Sequence, residues 1–232
     1  MHRTIGLLAL VLVAAAAVCG SASGDPGAST TQFSYPTPTT FNTSDNTGIQ
    51  ANLYGQGATA LIMSNMNDND ASDWDPTPTL LARQGYAVLT FTYRQSSDVA
   101  QYVDDLLGAI TYMKHHGARK IVLVGASLGG LVAAKAAISQ PVNALIILSS
   151  PTTYGDLSLS ADQANTLTIP KLVVYATGDI NAMTTPAFYQ MLGDPKSVKT
   201  YPGSDHGAFL FDVHPDLITT LVQFLKSDGA GA

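Results

Sequence analysis

The chain has 232 residues, 46% of them hydrophobic and 12% charged, with a net charge of −6 and a pI near 5.1. That length and composition suit one domain with a sizeable core and exclude an intrinsically disordered chain. An acidic balance without a basic patch argues against nucleic acid as a partner.

The first predicted element is a leader. Met1-His2-Arg3 is a short positively charged start, and Ile5 to Val18 is an almost unbroken apolar run of 14 residues. A membrane-spanning helix takes about 20 such residues, so this run reads as the apolar stretch of a signal peptide. Gly20-Ser21-Ala22 then offers a cleavage site, and residues 1–24 are set apart from the fold. Cys19, the single cysteine, stands where the apolar run ends. That arrangement resembles a bacterial lipoprotein signal, although Val18 departs from the small residue usual before the cysteine. Lipidation of Cys19 would tether the protein to a membrane, and cleavage near Ser23 would release it. Both fates are open, and both place the protein outside the cytoplasm, secreted, periplasmic or on the cell surface. Neither leaves a disulfide in the mature chain.

Residues 25–44 are dense in Ser, Thr, Gly, Pro and Asn and read as a flexible tether. The domain is expected over 45–228, with 229–232 a disordered tail. Gln32–Tyr35 and Ile49–Tyr54 are candidate early antiparallel strands. Ala60–Ser64 (ALIMS) is a buried strand. Pro76–Gln84 is a short helix stopped by Gly85, and Tyr86–Tyr93 a second buried strand. Ser97–His116 carries Val99, Val103, Leu106, Ile110 and Met113 at helical spacing. Lys120–Ala126 is a third strand, followed by an Ala-rich helix. Ala144–Ser149 and Lys171–Ala176 are further apolar strands. Thr184–Leu192 reads as a helix, Val198–Tyr201 as a short last strand and Pro215–Lys226 as an amphipathic terminal helix. Strands apolar on both faces, alternating with helices, predict a mostly parallel central sheet covered on both sides.

Residues 120–137 read KIVLVGASLGGLVAAKAA. A strand runs into a helix, and Gly125-Ala126-Ser127-Leu128-Gly129 occupies the turn. In a G-x-S-x-G turn the glycines allow close packing and the serine is left exposed above the sheet. The N–H of Leu128 and the helix N-terminus face whatever the serine oxygen attacks. A serine alone is a weak nucleophile and needs a base and an orienting acid. Both follow in chain order. Asp179 lies in the loop after Lys171–Ala176, and His206 in the loop after the last strand. All three fall at strand C-terminal ends, where open α/β sheets place their sites.

The stretches ALIMSNMNDNDASDWDP, GYAVLTFTYR, ARKIVLVGASLGGLVAAKAA, ALIILSSP, IPKLVVYATGD and YPGSDHGAFLF together resemble the α/β-hydrolase superfamily. Within it they resemble the small, lidless bacterial enzymes of the dienelactone-hydrolase-like group. The resemblance covers about residues 45–227. It implies the α/β-hydrolase fold without a large cap domain, Ser127 as nucleophile, His206 as general base and Asp179 as its orienter. It also implies a second oxyanion donor beside Leu128, the backbone N–H of Asn67 or of Met66, and no cofactor. The chain departs from the group in having serine where dienelactone hydrolases use cysteine. It also has Asn65-Met66 where the oxyanion loop usually has His-Gly, and Gln95 after Arg94 where Gly is usual. Arg94 is expected to be structural, pairing near the elbow.

Asn65, Trp74 and Ser150 are candidate substrate-binding residues. The acidic run Asn67–Asp75 lacks the Gly and Glu positions of an EF-hand loop and is read as a solvated loop with a helix cap, so no metal site is expected. The segment Thr152–Thr168 is short, which predicts an open cleft suited to small or polymeric esters. The expected function is a secreted or surface-anchored serine hydrolase, first a carboxylic-ester hydrolase, acting as a monomer. A peptidase or thioesterase on the same triad, and a non-catalytic surface binding module, are the alternatives.

Overall fold

The computed structural model describes residues 36–227 and 231. The leader, Cys19, the tether up to residue 35 and the candidate strand Gln32–Tyr35 lie outside the described residues. The first two strands, β1 (Thr37–Asn42) and β2 (Gly48–Tyr54), form an antiparallel hairpin. β1 falls inside the segment expected as tether, because Pro36, Pro38 and a threonine run mask it. A proline is tolerated on an edge strand, whose outer N–H groups have no ladder partner. Phe41 fastens this strand, buried against Phe91 and Tyr112.

The buried strands follow as β3 (Thr59–Ser64), β4 (Ala87–Phe91), β5 (Lys120–Ala126) and β6 (Ala144–Leu148), with α1 (Thr77–Ala82), α2 (Gln101–His115) and α3 (Leu128–Ser139) between or after them. A two-residue pair, β7 (Thr153–Tyr154) with β8 (Leu157–Ser158), and α4 (Ala161–Asn165) fill the short segment where a cap could have been inserted. The chain closes with β9 (Lys171–Ala176), α5 (Thr184–Met191), β10 (Lys196–Tyr201), α6 (Leu210–Val213) and α7 (Asp216–Ser227). Gly231, in the expected disordered tail, accepts a hydrogen bond from the Thr59 hydroxyl at 2.9 Å.

The main sheet has eight strands in the order β1-β2-β4-β3-β5-β6-β9-β10, parallel from β4 to β10 and antiparallel at β1 and β2. Successive residues of a strand point to opposite faces, and the two cores follow that alternation. Ile62, Leu123, Leu145, Ile147 and Val173 pack with α2, α3 and α5 on one face. Leu61, Met63, Val122, Val124, Ile146 and Val174 pack with Trp74, α1, α6 and α7 on the other. β3, β5, β6 and β9 therefore have no solvent face, which is why their sequences are continuous apolar runs. Their C-terminal ends share one edge of the sheet, and the loops there carry Ser64–Asn69, Ser127, Ser149, Asp179 and, beyond β10, His206.

Candidate active site

Ser127 is the turn between β5 and α3. Its φ is 50° and ψ −120°, a left-handed backbone that an L-residue adopts only where its surroundings hold it. Those surroundings are specific. The Ser127 N–H donates to Leu148 O at 2.8 Å, and Ser127 O accepts from Gly130 N at 3.0 Å. A Cβ on Gly129 would stand 2.1 Å from Ser64 O and 2.5 Å from Asn65 O, so only glycine lets α3 begin against the end of β3. Ser127 keeps 8% of its surface exposed.

Asp179 and His206 meet as the sequence spacing predicts. His206 Nδ1 lies 2.9 Å from Asp179 Oδ1. An ionised carboxylate only accepts, so Nδ1 carries the proton and Nε2 is left as the acceptor. The Asn181 N–H donates to the same Asp179 oxygen at 2.6 Å. Burial pushes the Asp179 carboxyl up, but the hydrogen bonds from His206 and the Asn181 N–H, with the nearby Ser149 hydroxyl, outweigh it and hold the group below the usual carboxylate range. His206 is a quarter exposed at its side chain while the Asp179 side chain is fully buried, so the ring has one dry end and one open end.

Gly207 locates the imidazole loop against the elbow. A Cβ there would be 2.6 Å from Met66 Sδ and 3.4 Å from Ala126 Cβ. The residue after His206 thus packs on the residue before Ser127 and on the loop after β3. Three loops, from β3, β5 and β10, meet at this point. Among the described residues no hydrogen bond yet joins the Ser127 hydroxyl to the His206 ring. Such bonds are often long without substrate and tighten on binding. Behind the ring, His214 stacks on Tyr201 with centroids 4.1 Å apart and approaches Asp205 Oδ2 at 3.6 Å, bracing the loop that carries His206.

The loop after β3 supplies free backbone donors. Among the described residues neither the Met66 nor the Asn67 N–H is bonded to a protein acceptor, and the Leu128 N–H opens a helix in the same state. The loop is held by two side chains, Asn69, which the sequence reading left unassigned, and Asn65. Asn69, with φ 60°, accepts from Tyr93 N at 2.8 Å through its amide oxygen and donates to Tyr93 O at 3.0 Å through its nitrogen, so it acts as an added rung beside β4. Asn65 donates to Phe91 O at 2.7 Å and accepts from Trp74 Nε1 at 3.0 Å.

That bonding corrects the candidate substrate-binding set. Asn65 and Trp74 are buried and bonded to each other, with Trp74 packed 6.3 Å from Phe211, and present no surface to a ligand. Ser150 is fully buried too, its side chain against Gly130 and its carbonyl accepting from Thr185. All three fix the loops instead. Arg94 pairs with Asp105 at 2.7 Å and Asp45 at 2.5 Å, joining β4 to α2 and the β1–β2 turn; its partners are not in the elbow. Among the described residues no group of three or more His, Cys, Asp or Glu side chains is disposed to hold a metal ion. Cavities of about 430, 530, 390 and 270 Å³ are lined elsewhere, and none of their linings includes Ser127, Asp179 or His206.

Comparison with solved structures bears on the fold. The Pyrococcus furiosus esterase Pf2001 superposes with a TM-score of 0.71 at 16% identity, over 84% of this chain and 90% of that one. The chain has the α/β-hydrolase fold. An esterase domain of a Rhodothermus marinus protein gives 0.68 at 18% identity, over 83% and 98%. Brefeldin A esterase, described as a bacterial homologue of human hormone sensitive lipase, gives 0.67 at 14%, over 85% and 76%. In sequence, residues 83–169 match the family described as PGAP1-like alpha/beta domain. Residues 132–230 match the family described as PhoPQ-activated pathogenicity-related protein. No curated protein matches the chain by sequence.

Proposed function

We propose that the protein is an exported serine hydrolase, lidless like the dienelactone-hydrolase-like group, that cleaves carboxylic esters. The observation that carries this reading is the Asp179–His206 hydrogen bond, formed on a loop packed against a strained Ser127 elbow. Ser127 Oγ attacks the ester carbonyl while His206 Nε2 takes its proton. Asp179 holds the ring in the Nδ1–H form and stabilises the imidazolium. Oxyanion charge falls to the N–H of Leu128 and of Asn67 or Met66, whose loop Asn65 and Asn69 hold in place. His206 then returns the proton to the leaving alcohol. Water, deprotonated by the same ring, releases the acid from the acyl-enzyme.

Ester chemistry is preferred over thioester or peptide cleavage because several of the solved structures that superpose on the chain are named esterases. The shortness of the segment holding β7, β8 and α4 favours small or polymeric esters over a long, enclosed acyl chain. The leader favours action outside the cytoplasm, tethered through Cys19 or free.

The test is hydrolysis of p-nitrophenyl esters from acetate to dodecanoate by wild type and Ser127→Ala side by side. Activity should fall with chain length and drop by about 10⁴-fold or more in the variant, as triads do on losing the nucleophile. Full activity in Ser127→Ala would overturn the assignment. Inactivity of folded wild type on every ester would move the reading to another acyl chemistry.

A further inference from the structure

Next to the Asp179–His206 pair two buried polar atoms stand without a partner. Asp179 Oδ2 accepts from no donor, and the Ser149 hydroxyl, fully buried at the end of β6, has no acceptor. Asn181 already bridges the two residues. Asn181 donates its side-chain N–H to Ser149 O at 2.8 Å and its backbone N–H to Asp179 Oδ1 at 2.6 Å. Ser149 N–H in turn donates to Val174 O at 2.9 Å, continuing the β6–β9 ladder. Ser149 also holds a φ of 52°, which for a non-glycine residue marks a conformation imposed by its surroundings. A buried carboxylate oxygen without a donor and a buried hydroxyl without an acceptor are each unfavourable, and one rotation of the serine side chain can satisfy both.

We propose that Ser149 is a positioning residue that donates its hydroxyl hydrogen to Asp179 Oδ2, fixing the carboxylate so that Oδ1 faces His206 Nδ1. This rests on the reading of Ser127, Asp179 and His206 as a triad. In that arrangement Asp179 has a donor on each oxygen: His206 and Asn181 on Oδ1, Ser149 on Oδ2. The carboxylate cannot then swing about its terminal torsion and let the imidazole turn. The hydroxyl also acts on the charge of Asp179, since its approach is one of the influences that hold that carboxyl low. Ser149 touches no substrate and works only through the acid.

The test substitutes Ser149→Gly, which removes the hydroxyl while leaving a residue at ease with positive φ, so that folding is not the variable. Two readouts are taken on the full protein. Carbon-detected NMR of the Asp179 carboxyl should show its titration midpoint about one pH unit higher in the variant. Steady-state ester hydrolysis should show kcat lower by about tenfold with KM unchanged. An unmoved Asp179 midpoint overturns the proposal, whether or not the protein hydrolyses esters. A wild-type protein inactive on esters would instead overturn the hydrolase reading, while a shifted midpoint would still establish the Ser149 bond. A lowered kcat in Ser149→Gly without a midpoint shift would contradict the hydrogen bond and assign the loss to the turn.

Discussion

Asp73 and Asp179 are two carboxyl groups moved in opposite directions by their surroundings, and the difference separates a stabilising group from a destabilising one. Asp179 keeps its charge through hydrogen bonds that overcome burial, so it adds stability above the usual carboxylate range and loses it as the pH falls through its lowered value. Burial pushes Asp73 up to about 6, with Asp68, Asp70 and Asp212 adding repulsion. Its Oδ2 is buried without a partner. The folded state therefore binds a proton there that the unfolded chain has released, and stability falls as the pH rises from about 4 to about 6. Asp73→Asn should raise the melting temperature at pH 7 and leave it unchanged at pH 3.5, as read by calorimetry at both values; an equal gain at both would refute the charge argument. At this scale Ser127, Asp179 and His206 stood out in the sequence, because each sits in a turn whose glycine or strand context announces it. Ser149, Asn69 and Asn181 did not. Ser, Asn and Asp are common at strand ends for turn-forming reasons alone, and only three-dimensional contact separates those that cap a turn from those that lie against Asp179. Trp74 and Asn65 were misplaced for the same reason: an aromatic and an amide beside a catalytic loop look the same in sequence whether they face the cleft or the core.

The elbow works as an element only because β5, α3 and the end of β3 come closer than side chains allow. Gly129 marks that approach. Gly129→Ala places a Cβ against two backbone carbonyls that cannot yield without separating α3 from β3. We expect a loss of about 3 kcal/mol or more, beyond ordinary overpacking, with ester hydrolysis reduced at least 100-fold because the Leu128 donor moves with the helix. Denaturant unfolding alongside kinetics would check both; wild-type stability in Gly129→Ala would mean the elbow is looser than described. The central elements were legible because parallel strands buried on both faces leave long apolar runs between clear stops. β1 was not, since prolines and threonines of an edge strand read like linker. The starts of α2 and α7 came later than expected for a related reason. Residues 96–100 form turns through Ser96 and Asp98 before α2 begins, and His214 closes α6 one residue before Pro215.

Taken as a whole, the molecule brings loops from five strand ends to one edge of a sheet whose central strands are covered on both faces. This is where an α/β sheet concentrates function, since strand C-termini and helix N-termini converge there. The residues beneath are structural: Arg94 with Asp105 and Asp45 locks the hairpin to the body, and Asn65 with Trp74 locks the loop after β3. Within this frame the proposed function requires that His206 activate Ser127. Fluorophosphonate labelling of the intact protein, followed by peptide mapping, tests it most directly because it needs no knowledge of the substrate. A single adduct on Ser127 is expected, and none when His206 is replaced by glutamine. Folded wild-type protein that takes up no label, or carries it on another residue, would contradict it.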